Sequence, residues 1–400
     1  MPLYRACLTE VGHGALDYLQ AQQQQAALCG GISARASMRS AIENTQIVHG
    51  FLVLSTRALV RNQTAAAQLL FDTWHSARFD EHQRLRELIA QMRTRRERNI
   101  TGNGHGLAMA AACAGLSPLA QHQHQVNGLA GLPWIKQLDR SLNDASALNT
   151  FAQQLQQLHQ KLQRQPAQLL LVSEQERDAD CTAHLQQLWS KNTPETNIDF
   201  ALPFTAQRVQ QLWQTSTQVN FCARAWSTVA VGHPDAAALS VLGGYLRNGF
   251  LHRAIREQGG AYGGGASQDS TLGAFRMYSY RDPRLSDTLL DFDKALDWLA
   301  STTPDAQKVE EAILGVIASL DKPGSPAGEA KTAFHNRLFG RSDAARRAFR
   351  AQILAVSAQD LQRVGALYLT PEKANTAILS GAGSTDEAIQ LGLDVCKLDA

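Results

Sequence analysis

The 400-residue chain has a net charge of +2, with 44% apolar and 18% charged residues. This composition is typical of a folded globular chain and argues against disorder. A charge this close to neutrality argues against nucleic acid as a partner, because phosphate-binding domains are usually strongly basic. No run of about 18 or more apolar residues occurs, so we expect no membrane-spanning segment. The first residues also lack a signal-peptide pattern.

The cysteines point to a reducing environment. All six are scattered along the chain and form no C-x-x-C pair. Such a distribution favours free thiols over disulfides or a metal site. Together with the missing export signal, it predicts a cytoplasmic location.

In the first half, apolar periodicity and turn residues predict a helix over 5–28, ended by Gly30-Gly31. A β-hairpin and then a run of helices follow. The expected elements are strands at 32–38 and 49–57, helices at 63–78, 80–98, 104–115, 128–141 and 148–163, and a closing strand at 169–172. Residues 191–205 are interpreted as a connector.

The second half predicts a similar order, preceded by one more strand. The β-rich segment 219–229 leads into a helix over 235–257, which Gly259-Gly260 terminates. The remaining elements are strands at 261–269 and 273–280, helices at 285–301, 305–320, 326–339 and 342–368, and a last strand at 376–380.

The shared order of helix, glycine pair, hairpin and helices indicates a duplicated domain of about 200 residues. We predict domains at 1–195 and 205–400, in an α+β fold where each domain is an antiparallel sheet with helices on one face. The first copy lacks the strand that precedes the helix of the second. We therefore expect its opening strand upstream of Met1 and the chain to be a fragment or one half of a split protein; the alternative is a naturally shorter sheet.

The most informative segment runs from Ile255 to Gly265 (IREQGGAYGGG). Arg256 lies in the last turn of the predicted helix, and Tyr262 begins a strand. Five glycines in seven positions permit unusual backbone angles and a close approach of another backbone. A fixed cation and a phenol directed at one place can bind a peptide carbonyl and stabilise charge that develops on it.

The same segment has a simpler interpretation as a glycine-rich hairpin with Arg256 in a surface salt bridge. It is not a phosphate-binding loop, because G-x-x-x-x-G-K-[ST] is missing and the glycines follow a helix instead of opening one.

The segment resembles the C-terminal motif of the pitrilysin/insulinase metallopeptidases, in their presequence protease branch. Further matches cover nearly the whole chain. They are Leu8-Thr9-Glu10-Val11-Gly12, Cys29-Gly30-Gly31-Ile32-Ser33, Gly104-His105 with Ala108-Met109, Ser279-Tyr280-Arg281-Asp282-Pro283, and Asp297-Trp298-Leu299.

The resemblance implies a four-domain clamshell whose N-terminal pair of domains binds zinc through H-x-x-E-H. The C-terminal pair closes over a peptide substrate and contributes an arginine and a tyrosine, which fall on Arg256 and Tyr262. Arg256 would anchor the substrate backbone, and Tyr262 would hydrogen-bond the scissile carbonyl or its oxyanion. The neighbouring backbone predicted to bind substrate comprises Gly259, Gly260, Ala261 and Gly263.

The chain departs from the family at the metal. Neither H-x-x-E-H nor H-E-x-x-H occurs in it. His105, His122 and His124 are close in sequence, but an H-x-H on a polar loop without a nearby carboxylate is interpreted as surface. We predict no metal ligands here, zinc supplied by an N-terminal half in the same full-length chain or in a separate subunit, and no peptide hydrolysis by this chain alone. The alternative function is a non-catalytic structural or peptide-binding module of the same fold.

Overall fold

The computed structural model describes residues 1–190 and 200–398. Residues 1–190 form helices around a hairpin of β1 (Ile32–Ser40) and β2 (Val48–Thr56), which pair antiparallel. The helices are α1 (Pro2–Leu8), α2 (Tyr18–Leu28), α3 (Gln63–His75), α4 (His82–Arg98), α5 (Gly104–Cys113), α6 (Pro118–Asn127), α7 (Gly131–Ser141), α8 (Ala145–Gln163) and α9 (Gln175–Trp189).

Residues 200–398 form one six-stranded sheet and its helices. The strands are β3 (Gln210–Gln214), β4 (Phe221–Ser227), β5 (Gly263–Asp269), β6 (Ala274–Tyr280), β7 (Asn375–Ser380) and β8 (Asp394–Lys397). The helices are α10 (Ala236–Leu246), α11 (Ser286–Ser301), α12 (Ala306–Leu320), α13 (Pro326–Leu338), α14 (Asp343–Leu354), α15 (Ala358–Tyr368) and α16 (Thr385–Gln390), with α10 continuing as a π-helix over Arg247–Gln258.

The strand order is β5-β6-β4-β7-β3-β8, which leaves β5 at one edge. The first four strands are antiparallel neighbours, whereas β3 runs parallel to both β7 and β8. The predicted α+β class is confirmed. The sheet is nevertheless mixed, because β3 runs parallel to its two neighbours; neither β3 nor β8 was predicted. Within the described residues, β1 and β2 pair only with each other.

The two halves share a core. One face of the large sheet packs against α10 and α11, on which α12, α14 and α15 form a further layer, around Trp226 and Phe292. The other face is covered by α5 and α6 of the first half, where Phe221 lies among alanines of α5. Gly104 permits this approach, because a Cβ there would lie 2.6 Å from the Phe221 ring. Helices thus cover both faces of this sheet, and burial of each large apolar side chain contributes roughly 1.5–3 kcal/mol.

Several predicted elements were wrong in detail. Residues 169–172 form no strand; Leu169 and Leu170 are exposed in a segment without regular secondary structure. The helix predicted over 5–28 divides into α1 and α2, because Gly12 and Gly14 turn the chain and the Glu81 carboxylate accepts from the N–H groups of Gly12 and Tyr18. The connector expected at 191–205 falls largely on residues 191–199, outside those described.

Two further predictions were wrong in polar segments of the sequence. The segment around His122 and His124 is not a loop but helix α6, which Ser117 caps and Pro118 opens. The helix predicted over 342–368 divides because Ser357 and Asp360 form a capping box that starts α15. No helix among the described residues is long and apolar enough to cross a membrane.

Two buried histidines give the fold a predictable response to acid. His124 packs edge-on against Trp213, and the Tyr4 hydroxyl lies 2.7 Å from Nδ1 of His159. Burial lowers the pKa of each histidine to about 4. In the unfolded chain the histidine pKa is about 6.5, so the unfolded state binds more protons between these values.

We therefore expect stability to be complete above about pH 6.5 and to fall progressively as the pH drops towards 4. Urea unfolding midpoints measured from pH 7.5 to 4.5 test this. His124→Gln should flatten the pH dependence, whereas replacement of the exposed His49 should leave it as in the wild type. Equal slopes in both variants would contradict this origin of the acid sensitivity.

Candidate substrate-binding site at the start of β5

Arg256 lies near the end of the π-helix that extends α10. π-Helical turns are rare in proteins, and those that do occur often lie at functional sites. Trp298 of α11 packs beside this winding: its ring stacks on Tyr245 of α10 at 5.3 Å and lies 5.9 Å from the ring of Phe250 in the π-helix. Gly249 leaves room for that indole, since a Cβ there would lie 2.6 Å from it. The helix that presents Arg256 is therefore braced by an aromatic contact before the chain turns.

A glycine turn connects this helix to β5. Gly260 has a φ of +77°, a conformation that glycine adopts at little cost. Its N–H donates to the Arg256 carbonyl at 3.2 Å, and the Ala261 N–H donates to the Ile255 carbonyl at 3.1 Å. Arg256 and Tyr262 consequently stand at the two ends of one hydrogen-bonded turn.

The Arg256 side chain is exposed. Within residues 1–190 and 200–398 its guanidinium makes no ion pair; the nearest acid in sequence, Glu257, faces His252 at 3.3 Å. The alternative of a surface salt bridge for Arg256 finds no support in the described part of the chain. Within that part, the Arg256 guanidinium therefore has free N–H donors that can bind an acceptor on another molecule.

Tyr262 is 67% exposed although it is a large aromatic residue. Its N–H donates to the Arg281 carbonyl at 3.3 Å, and its ring packs edge-on against Tyr280 with centroids 5.5 Å apart. Tyr280 in turn contacts the ring of His105, at 4.8 Å. The phenol is thus oriented by both halves, while its hydroxyl makes no hydrogen bond within the described residues.

The residues predicted to bind substrate differ in accessibility. Gly259 and Ala261 are buried, and a Cβ on Gly259 would lie 1.8 Å from Nη2 of Arg284, so these two residues shape the turn. Gly260 is exposed, and no atom lies within 4 Å of a Cβ built on Gly263. Of the four, Gly260 and Gly263 therefore offer open space beside Tyr262.

The glycines of β5 give a matched pair of predictions. A Cβ on Gly264 would lie 2.9 Å from Cγ2 of Ile255 and 3.0 Å from the Tyr278 carbonyl oxygen. We expect Gly264→Ala to destabilise the fold by about 1–3 kcal/mol through overpacking. Gly263→Ala should change the free energy of unfolding by less than about 0.5 kcal/mol. Denaturant titration compares the two, and equal costs would contradict the packing described.

The buried carboxylate of Asp282 stabilises the backbone next to Arg281, which pairs with Tyr262. Asp282 is completely buried and accepts from the Thr288 hydroxyl at 2.7 Å and from the Arg284 N–H at 3.0 Å. Its backbone exchanges two hydrogen bonds with Asn220, at 2.7 and 2.8 Å. Beside it, Arg281 is the one non-glycine residue with positive φ in the described chain. Residues 279–283 resemble the family in sequence, but no local pattern indicates this supporting role.

The side chains of His105, His122 and His124 do not come together at one site. His105 lies against Tyr280, His124 packs in the core against Trp213, and His122 is half-buried on α6. The described residues contain no group of three or more His, Cys, Asp or Glu side chains placed to hold a metal ion. A zinc site therefore does not fit the described part of this chain.

Comparison with known proteins agrees with this architecture. Residues 1–138 match the family model for the associated domain of peptidase family M16, subfamily C, and residues 211–379 match the PreP C-terminal domain. The mitochondrial presequence protease of Danio rerio is 28% identical over 394 residues, which cover 92% of this chain and 38% of that protein. The chain thus spans about two fifths of the length of the curated relatives it matches.

Solved structures show the same fold. A peptidase M16 inactive domain from Pseudomonas fluorescens superposes with a TM-score of 0.61 at 14% identity, over 95% of this chain and 87% of that one. Pitrilysin gives a TM-score of 0.59 at 14% identity, over 98% of this chain and 40% of its own. The chain belongs to the presequence protease-like branch of the pitrilysin/insulinase (M16) metallopeptidase family and corresponds to a C-terminal half. The predicted resemblance is confirmed; the roles of Arg256 and Tyr262 stay predictions.

Proposed function

We propose that this chain is the substrate-positioning C-terminal half of a zinc-dependent oligopeptidase that degrades unfolded peptides. The supporting observation is the pair Arg256 and Tyr262, which are exposed at the two ends of a braced turn and make no side-chain hydrogen bond within the described residues. The N-terminal half, in the same full-length chain or as a separate subunit, is the proposed partner and the proposed source of the zinc site.

In this proposal Arg256 and Tyr262 act on the peptide backbone. The Arg256 guanidinium donates to substrate carbonyls and fixes the register of the bound peptide. The Tyr262 hydroxyl donates to the scissile carbonyl, and this hydrogen bond strengthens as negative charge develops on the oxygen. Gly263 leaves the backbone of the edge strand β5 open beside the phenol, so an extended peptide can approach it closely.

Reassembly with the other half tests the proposal. The purified chain should bind a fluorescent unfolded peptide weakly and leave a quenched peptide intact. Mixing it with the H-x-x-E-H half encoded by the same genome should produce hydrolysis that a chelator abolishes. Chelator-sensitive hydrolysis by the chain alone, or none after the halves form a complex by size-exclusion chromatography, would overturn the assignment. Peptide binding without hydrolysis in the complex would favour the alternative of a non-catalytic peptide-binding module.

The cytoplasm is the proposed location. All six cysteines are free, and Cys7, Cys113 and Cys222 are buried, as expected for a chain kept in reducing conditions. Fractionation of cells that express a tagged full-length protein tests this, and recovery in an exported fraction would contradict it.

A further inference from the structure

A second group of cationic side chains lies where the hairpin of the first half meets the end of α13. Alternation along β1 places Arg35 and Arg39 on the same face of the hairpin. On the neighbouring strand Phe51 packs edge-on against Phe339, which follows α13, with centroids 5.2 Å apart. The Arg39 guanidinium lies over the same Phe339 ring, 5.2 Å from its centroid. The hairpin face that carries the two arginines therefore packs against the second half of the chain through Phe339.

His335, in the last turn of α13, is part of this group. Nη2 of Arg35 lies 2.5 Å from Nε2 of His335. A guanidinium can only donate, so Nε2 must accept and the imidazole must carry its proton on Nδ1. Nδ1 is buried and has no hydrogen-bond partner in the described structure. Burial, and then Arg35 and Arg39, lower the pKa of His335, which agrees with a neutral ring. A buried N–H donor thus lacks an acceptor.

Arg341 completes the group, two residues after Phe339. Its Nη2 lies 3.3 Å from the hydroxyl of Thr271, in the turn between β5 and β6. Burial, and then Arg39, lower the pKa of Arg341, while Asp269 raises it. Asp269 is already engaged, because it pairs with Arg276 at 3.3 Å and accepts from the Thr271 and Leu272 N–H groups.

The group is therefore rich in donors and poor in acceptors. Among the described residues, no ion pair joins Arg35, Arg39 or Arg341 to a carboxylate. Arg39 and Arg341 are half-buried, whereas Arg35 is exposed at the edge of the group. Partly buried cations without a counter-charge are costly, and such a site gains stability when an anion enters. Three guanidinium groups and one imidazole N–H offer more donors than the two oxygens of a carboxylate can accept.

We propose that Arg35, Arg39, His335 and Arg341 form a binding site for a phosphate group at the junction of the two halves. A phosphate carries about two negative charges and several acceptor oxygens, and planar arginine forks match its geometry. The bound anion would connect β1 of the first half to α13 and to the β5–β6 turn. The site is separate from Arg256 and Tyr262, because Tyr262 precedes β5 whereas Thr271 follows it.

Thermal unfolding and calorimetric titration of the purified chain test this site. Inorganic phosphate should raise the Tm more than sodium chloride does at equal ionic strength. Arg39→Gln and Arg35→Gln should weaken phosphate binding by about tenfold or more, because each removes charge-assisted hydrogen bonds. Arg347→Gln, at an exposed arginine of α14, is the matched control and should bind phosphate as the wild type does.

A second arm distinguishes the source of the phosphate. Inorganic phosphate and a nucleoside diphosphate are titrated in parallel, and stronger binding of the diphosphate, lost in the same variants, would indicate a nucleotide as ligand. If chloride stabilises the chain as much as phosphate, or if Arg39→Gln and Arg35→Gln bind both ligands like Arg347→Gln, the proposal is wrong. Peptide hydrolysis does not enter this test, so its outcome is independent of the proposed peptidase function.

Discussion

Replacing Tyr262 with phenylalanine should lower the turnover of the reassembled peptidase by about 10²–10³-fold, the usual effect of losing one oxyanion donor. The substitution removes only the hydroxyl and keeps the ring that packs against Tyr280 at 5.5 Å. The lost hydrogen bond is strongest when charge has developed on the scissile carbonyl. We therefore expect kcat to fall while KM changes little.

The fold itself should not be affected by this substitution. The Tyr262 hydroxyl makes no hydrogen bond within residues 1–190 and 200–398, and the residue is 67% exposed. Urea unfolding should therefore give the wild-type midpoint. Tyr18→Phe is a suitable control, because Tyr18 lies on α2 beneath the Arg84 guanidinium and far along the chain from β5. Steady-state kinetics decide the matter: an unchanged kcat for Tyr262→Phe excludes a role for the hydroxyl in stabilising the oxyanion.

The Arg256–Tyr262 segment could be predicted because its geometry is local. A helix end, a glycine turn and the start of a strand all fall within a few residues, and each carries its own sequence signal. The π-helix could not be predicted in this way. Over the twelve residues Arg247–Gln258, the apolar pattern of a π-helix differs too little from that of an α-helix. The Trp298 ring, which fills the space that a Cβ on Gly249 would occupy, is distant in sequence and gives no local signal.

The orientation of Tyr262 also depends on distant residues. Tyr280 and His105 come from opposite halves of the chain, so no local pattern joins them. The shared core was missed for a similar reason. Helix α5 buries Ala108, Ala111 and Ala112, and alanines on several faces indicate a buried helix without showing which sheet covers it. Strands β3 and β8 contain too few residues for a periodic signal and depend on parallel pairing with distant segments.

The second large effect is expected from Asp282→Ala. The Asp282 carboxylate is completely buried, and it accepts hydrogen bonds from the Thr288 hydroxyl and the Arg284 N–H. The Arg284 guanidinium lies 3.9 Å away and also pairs with Asp291 at 3.1 Å. Removing the carboxylate leaves the Thr288 hydroxyl and the Arg284 backbone N–H without acceptors. It also removes a negative charge beside the partly buried Arg284 guanidinium. We expect the free energy of unfolding to fall by about 3–5 kcal/mol.

The variant Asp282→Asn keeps the shape of the side chain and removes its charge, so it tests the contribution of the charge separately from that of the shape. The amide keeps one acceptor oxygen, so one of the two hydrogen bonds survives, and the loss of stability should lie between those of the wild type and Asp282→Ala. Asp297→Ala, at an exposed acid on α11, should change stability by less than about 0.5 kcal/mol. Because Asp282 fixes the strand end that carries Tyr280 and Arg281, peptide binding by folded Asp282→Asn should also weaken. Urea titration and peptide anisotropy measure both effects, and wild-type values for Asp282→Asn would show that the carboxylate does not hold Tyr262 in place.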